Sequence, residues 1–352
     1  MTRFIIALTA LSLIACADPA PGEPPDGAPE APHTVAVPEA PRADAGEAVE
    51  APSSDAPEAA LEAVEAPSSG APEAALEDAW LVWARGPEGG TRSFWVQPTA
   101  AGLEVTANDG VVLAVDGALW RWAVSEEALP TGMDCEWLGV AAEGGTGARA
   151  VLEHVDGEAT TPLVTPAADA ALESNDWQES VTLEASAGPY LFVHRTVWSY
   201  ACGAHGNTND ELRVIDARTG ELAELDAPAD EATRARAWQA MAGRDVFVEG
   251  PGQLAQTLFR PVWSDDGAAI EHQLTADACY ACGDGLWGSY TASARVRDTK
   301  VPASLAAHVR VPAEVLSAVR AHAGRDDVEI GGVSRAPAAQ RPAFEALLVE
   351  GC

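Results

Sequence analysis

The chain is short of positive charge: 21 Lys and Arg stand against 54 Asp and Glu in 352 residues, for a net charge of −33. Such a chain repels phosphate backbones, which argues against nucleic-acid binding, and attracts basic partners or divalent cations. Aromatic residues are missing from Ala17 to Asp78, since all 11 Trp, all 4 Tyr and five of the six Phe lie beyond it. That stretch cannot build a core. Complete catalytic signatures are also lacking: there is no Gly-x-Ser-x-Gly, His-Glu-x-x-His, Walker or full EF-hand loop. Gly250-Pro251-Gly252 is too short a pattern for a nucleotide loop, and Asp265-Asp266-Gly267 reads as a hairpin turn rather than a calcium site.

What is present begins with Arg3 and an apolar run from Phe4 to Ile14, ending in Leu13-Ile14-Ala15-Cys16. At about 1.5 Å per residue the run covers roughly half of a ~30 Å hydrocarbon core, so it has the dimensions of a signal peptide. A Cys directly after Leu-Ile-Ala resembles the lipobox of bacterial lipoproteins. That resemblance implies removal of residues 1–15, a diacylglyceryl group on the Cys16 sulfur and an acyl chain on its new amine, with no other cofactor. Several acyl chains hold stably to a bilayer where one binds marginally, so the expected location is the cell envelope, anchored to the membrane by lipid. Ala17 in place of Asp resembles the pattern of lipoproteins passed to the outer membrane. The alternative is a secretory signal with an incidental Cys, or a buried helix.

Residues 16–78 then read as the lipidated Cys and an acidic tether. Twelve of the 25 prolines fall between Ala17 and Asp78, and large apolar residues are nearly absent, so burial cannot offset ordering entropy. Glu47–Leu61 recurs as Glu62–Leu76 with one difference, Asp55 against Gly70, and Pro52, Pro57, Pro67 and Pro72 interrupt any helix. The period is shorter than that of packed repeats, which makes low-complexity duplication the simplest reading and a repeated binding motif the other. As a coil the tether reaches about 45 Å, and as a polyproline-like rod at most ~190 Å.

The rest divides into a β-rich half over 79–178 and an α+β half over 179–352, with Thr165 to Asp176 as the joint. Ala79–Trp83 and Ser93–Val96 are aromatic and β-branched, as strands prefer. Val111–Val115 and Ala118–Trp122 flank Asp116-Gly117, the signature of a type I′ hairpin, which sets Trp120 and Trp122 on one face. Paired Trp residues serve as packing against a second layer or as a sugar platform. Asp156-Gly157 follows Ala150–Val155 in the same way. Strands are expected at Ser180–Glu184, Tyr190–Tyr200, Glu211–Ile215 and Asp245–Val248, a turn at Arg218–Glu221, and helices at Glu231–Ala242 and Pro312–Ala323. Strands that outnumber helices without alternating with them predict an α+β fold of mainly antiparallel sheet, with a β-propeller-like all-β fold as the alternative.

With Cys16 assigned to lipid, five cysteines remain: Cys135, Cys202, Cys279, Cys282 and Cys352. In an exported chain they read first as disulfides, two bridges and one free thiol. The matching tetrapeptides Tyr200-Ala201-Cys202-Gly203 and Tyr280-Ala281-Cys282-Gly283 suggest neighbouring strand ends, and Cys202 is expected to pair with Cys279 or Cys282. The rivals are a Cys₃His zinc site of Cys202, Cys279, Cys282 and His205, and redox Cys-x-x-Cys chemistry, for which no βαβ context is seen. His205 lies among Gly203, Ala204, Gly206 and Asn207, a turn that exposes an imidazole. His205 and Asn207 are therefore the candidate binding turn, against the simpler reading of a strand connection.

The order Tyr200, Gly203-Ala204-His205-Gly206, then a strand ending Asp216-Ala217-Arg218-Thr219-Gly220, with Tyr290 and Val311-Pro312 later, is similar to the extracytoplasmic domain shared by lysozyme-binding anti-sigma factors and some peptidoglycan deacetylases. The resemblance spans Ser180 to about Ala323 and rests on short turn motifs. It implies an α+β fold, contact with protein or cell wall, and no catalytic residue. The chain departs from that family in its inserted cysteines, and it lacks a cytoplasmic sigma-binding segment and a deacetylase signature. Three function classes follow: an envelope lipoprotein acting as a non-enzymatic binding or sensing module, whose partners are the membrane and an envelope protein or cell-wall glycan; a metal-binding protein or hydrolase using His205 and nearby Cys; and a passive envelope spacer.

Overall fold

Fifteen strands and five helices are placed by the computed structural model, which describes residues 78–87, 89–135, 144–202, 206–244, 246–278, 291–325 and 327–350. The expected signal segment, Cys16, the expected tether up to Glu77 with its repeat, His205, Cys279, Cys282, Tyr290 and Cys352 lie outside these residues, whereas Asp78, expected as the end of the tether, opens the first strand. In chain order the elements are β1 (Asp78–Arg85), β2 (Thr91–Thr99), β3 (Gly102–Asp109), β4 (Val112–Val115), β5 (Ala118–Leu129), β6 (Gly144–His154), β7 (Thr160–Val164), α1 (Ala168–Ala171), β8 (Asp176–Ala187), β9 (Tyr190–Tyr200), β10 (Asn207–Asp216) and β11 (Glu221–Leu222). There follow α2 (Glu231–Ala240), β12 (Ala255–Ser264), β13 (Gly267–Asp277), β14 (Thr291–Asp298), α3 (Ala303–Val309), α4 (Ala313–Ala323), β15 (Glu329–Pro337) and α5 (Arg341–Glu350). The fold is α+β and mainly antiparallel β, as the strand-rich pattern predicts.

Turn chemistry makes the hairpins. Asp116 and Gly117 both have positive φ (48° and 78°), the pair of values a type I′ turn needs, and they join β4 to β5. Asp265-Asp266 bends β12 into β13, and Arg218–Gly220 bends β10 into β11. Trp120 and Trp122 share a face and pack, half-buried, against the apolar cluster around Leu113, Leu152 and Leu183. Packing is therefore their use. Of the residues expected as a strand at Asp245–Val248, Asp245 lies outside the described residues, and Val246 forms an isolated bridge to Ala278 before Pro251 opens a 3₁₀ turn.

Twelve strands share one branched sheet, with the path β11-β10-β9-β8-β15-β1-β2-β3, and β6 leads off β8 to β5 and β7. The branch point is β8. One of its edges is shared end to end by two parallel partners, β6 at Gly144–Thr146 against Asp176–Gln178, and β15 at Gly332–Val333 against Ser186–Ala187. The seam expected between residues 178 and 179 falls inside this strand, and Thr165–Asp176 holds the short helix α1. The sheet is open, and the described strands form one branched sheet and the three-stranded sheet β12-β13-β14 rather than a ring of four-stranded blades.

Both faces of the central strands are covered. On β1, Ala79, Leu81 and Trp83 face one side and Trp80, Val82 and Ala84 the other, and all six are buried. The first side packs on β4, β6 and α5, and the second on β12, β13, α3 and α4. Pro312 starts α4, and Val315, Leu316 and Val319 are its buried stripe, as their spacing predicts. Helix α2 covers β13 and β14, its first turn capped by Asp230, which accepts from the Thr233 N–H at 2.9 Å.

Candidate functional site

One face of the sheet carries polar side chains where the other carries core. Along β8, Asp176, Gln178, Ser180 and Thr182 alternate with Trp177, Glu179, Val181 and Leu183, and the first set is the more exposed. That alternation is the period of a strand with one solvated face. The register extends it sideways. Thr146 lies opposite Gln178, Gln178 opposite Trp198, and Trp198 opposite Thr208, which makes one row across β6, β8, β9 and β10. The next row is Ser180, Thr196 and Asp210. All of these but Asp210, together with Glu126 and Asp176, line a cleft of about 600 Å³.

Trp198 is the large aromatic side chain in that row, and its position is set by Gly206. A Cβ at residue 206 would stand 2.6 Å from the indole ring, so only glycine lets the chain lie this close. Nearby, Thr196 donates its hydroxyl to Asp210 Oδ1 at 2.8 Å, and His194 Nε2 lies 3.3 Å from the same oxygen. The imidazole, with lesser help from the Thr196 hydroxyl, holds the Asp210 carboxyl below its usual range against the upward push of partial burial. His194 Nδ1 is 3.8 Å from Glu184 Oε1, so both ring nitrogens face carboxylates. On the opposite face Arg195 is bonded to Glu179 at 2.5 Å, and Glu179 also accepts from Ala167 N–H at 3.3 Å. The cleft thus offers an indole plane, hydroxyls, an amide and carboxylate acceptors. Such a set suits hydrogen bonding and stacking with a polyhydroxylated ligand.

The residues singled out from sequence are distributed as follows. Asn207 opens β10, exposed and opposite Ser199, one residue from Thr208 of the row. His205 lies outside the described residues. Cys202 is bonded to Cys135, with Cα atoms 5.5 Å apart, so the pairing with Cys279 or Cys282 is corrected. The reason is the path of the segment after β5. Asn175 donates to Met133 O at 3.2 Å, and Met133 N–H to Ser174 O at 3.1 Å, which brings Cys135 beside the end of β9. Matching tetrapeptides carry no information on that path. A disulfide sulfur is not a thiolate, so Cys202 cannot serve in the Cys₃His zinc set. Among the described residues no group of three or more His, Cys, Asp or Glu is placed to hold a metal ion.

Thr146, Gln178 and Trp198 were not singled out from sequence. The alternation along β8 carries the signal for Gln178, but nothing local announces that β6 runs parallel beside it. No described helix is long and apolar enough to cross a membrane. Comparison with protein-family models, curated proteins and solved structures finds no match to this chain.

Proposed function

We propose that this chain is a membrane-anchored envelope lipoprotein, lipidated at Cys16 and held at the outer membrane, whose extracytoplasmic domain is a non-enzymatic binding module for cell-wall glycan. The observation that carries the reading is the row Thr146, Gln178, Trp198 and Thr208, an indole flanked by hydroxyl and amide groups on an open polar face. An aromatic ring covers the apolar face of a sugar while neighbouring hydroxyls and amides bond its rim. The resemblance to the domain of anti-sigma factors and peptidoglycan deacetylases supports it, because the Gly-Ala-His-Gly motif that carries part of the resemblance ends in sequence at Gly206, which lies against Trp198. The net negative charge favours a glycan over an anionic polymer.

The test is binding of the full-length protein, purified in detergent, to peptide-free glycan strands. Trp198→Ala and Gln178→Ala should each weaken binding by about tenfold, the scale of one aromatic contact or hydrogen bond. Gln178 is exposed, so its variant controls for folding. Retention of full affinity in both variants would sink the reading. Separately, Cys16→Ser should release the protein from the membrane fraction.

A further inference from the structure

Beyond residue 78 the chain carries about −20 in net charge, so its basic side chains should find carboxylates, and most do. Arg85, Arg92, Arg121, Arg149, Arg195, Arg213, Arg218, Arg260, Arg295, Arg297, Lys300, Arg320, Arg325 and Arg341 have an acidic partner within 4 Å. Arg234, Arg236 and Arg244 donate to backbone carbonyls instead. Arg310 and Arg335 do neither among the described residues. Both are exposed, and both line the same groove.

The groove follows from strand register. β1 and β15 place Arg335 directly opposite Trp80, and its guanidinium carbon lies 3.8 Å from the centre of the indole ring. Stacking holds the planar fork in place and leaves its N–H edge available to a carboxylate. Two cavities, of about 640 and 430 Å³, meet at Trp80, Arg310 and Arg335. The larger is walled by Trp263, Val311, Pro312 and Leu316. Trp263 is itself fixed, since its indole N–H donates to Val309 O at 2.9 Å. Of the lining carboxylates, Asp265 is paired with Arg320, and Asp116 shares the smaller cavity with Arg218. What remains open is positive charge beside apolar wall.

We propose that this groove is a second binding site, separate from the glycan face, and that it takes an acidic peptide segment. Carboxylates of the peptide pair with Arg335 and Arg310, and its apolar side chains lie against Trp263, Val311 and Leu316. A bare inorganic anion would leave most of the wall wet. A polyanion would meet the negative charge of the whole domain, whereas two free arginines suit one or two carboxylates. At physiological salt the domain's field is screened beyond about 8 Å, so contact pairing decides.

The experiment is fluorescence anisotropy of a labelled Glu-Pro-Val-Glu-Leu peptide, and of its counterpart with Gln for Glu, against the full-length protein. The acidic peptide should bind saturably and the Gln peptide about tenfold more weakly or less. Arg335→Gln and Arg310→Gln, at exposed positions with no ion pair or hydrogen bond to lose among the described residues, should each weaken the acidic peptide by about tenfold. The proposal is overturned by an absence of saturable binding, by equal binding of both peptides, or by unchanged affinity in both variants. Displacement by inorganic phosphate at concentrations matching the peptide would assign the groove to a small anion and overturn it as well.

Discussion

Trp83 on β1 donates its indole N–H to Ser186 Oγ on β8 at 2.8 Å, although the two strands do not pair. Strand β15 lies between them, and where the indole crosses it the residues are Gly331 and Gly332. A Cβ on Gly331 would stand 2.2 Å from the Trp83 ring, and one on Gly332 2.0 Å from Ser186 Oγ. The two glycines therefore exist for the indole. Gly331→Ala should cost about 1–3 kcal/mol through overpacking, and Ser186→Ala a similar amount by stranding a buried donor. Urea unfolding followed by Trp fluorescence measures both; wild-type stability in either variant would refute the account.

Arg260 is buried and joins three strands besides its own. Its guanidinium reaches Glu271 Oε1 at 2.8 Å, Glu184 Oε2 at 3.1 Å and Glu329 Oε1 at 2.8 Å. Removing one partner of a buried ionic group leaves uncompensated charge, so Arg260→Leu should destabilise by about 3–5 kcal/mol. Glu271 keeps the guanidinium groups of Arg295 and Arg297 at 3.7 and 3.6 Å, whereas Glu184 keeps the His194 imidazole at 3.8 Å, which leaves Glu184 the more stranded group. Adding Glu184→Leu to Arg260→Leu should accordingly recover more stability than adding Glu271→Leu. A double-mutant cycle in urea distinguishes the two, and equal recovery would contradict the geometry.

The Cys135–Cys202 bridge closes a separation of 67 residues. On the loop-entropy account its loss costs about 4 kcal/mol. Its place adds a functional consequence, because Cys202 stands four residues before Gly206, which lies against Trp198. Reduction should therefore weaken glycan binding at Trp198 while leaving peptide binding at Arg335 unchanged. Peptide mapping without reductant should recover residues 135 and 202 in one linked species.

Local chemistry made much of this fold legible. Asp116-Gly117, Asp265-Asp266-Gly267 and Arg218-Thr219-Gly220 specify their turns by φ preference, and Val315, Leu316 and Val319 specify a helix face by spacing. Each of those signals lies within a few residues. What was not legible is non-local. The three-stranded sheet β12-β13-β14 lacks a strong alternating pattern, since β12 is buried along nearly its whole second half. The row from Thr146 to Thr208 depends on a short parallel contact between β6 and β8, and the stack of Arg335 on Trp80 on pairing strands from opposite ends of the domain. Neither relation leaves a trace in neighbouring residues.

His272 on β13 gives the fold a pH limit that no carboxylate explains. It is buried, paired across the ladder with Phe259 and Val296, and its Nδ1 has no hydrogen-bond partner among the described residues. Burial pushes its pKa below the ordinary 6.5; Asp298 and Asp230 oppose the shift, and Arg234 and Arg236 add to it. The folded state thus prefers the neutral ring. Above the unfolded value both states hold it neutral and it has no effect on stability. As pH falls below about 6.5, the unfolded chain takes up a proton that the folded chain refuses, so stability declines until the lowered folded value is passed. Asp230 is held low by Lys300 and by the helix cap, and it loses its contribution only at far more acidic pH. Urea midpoints measured downward from pH 7 should therefore fall in wild type before any carboxylate titrates, and His272→Leu should flatten that first decline. An unchanged slope in the variant would place the acid sensitivity elsewhere.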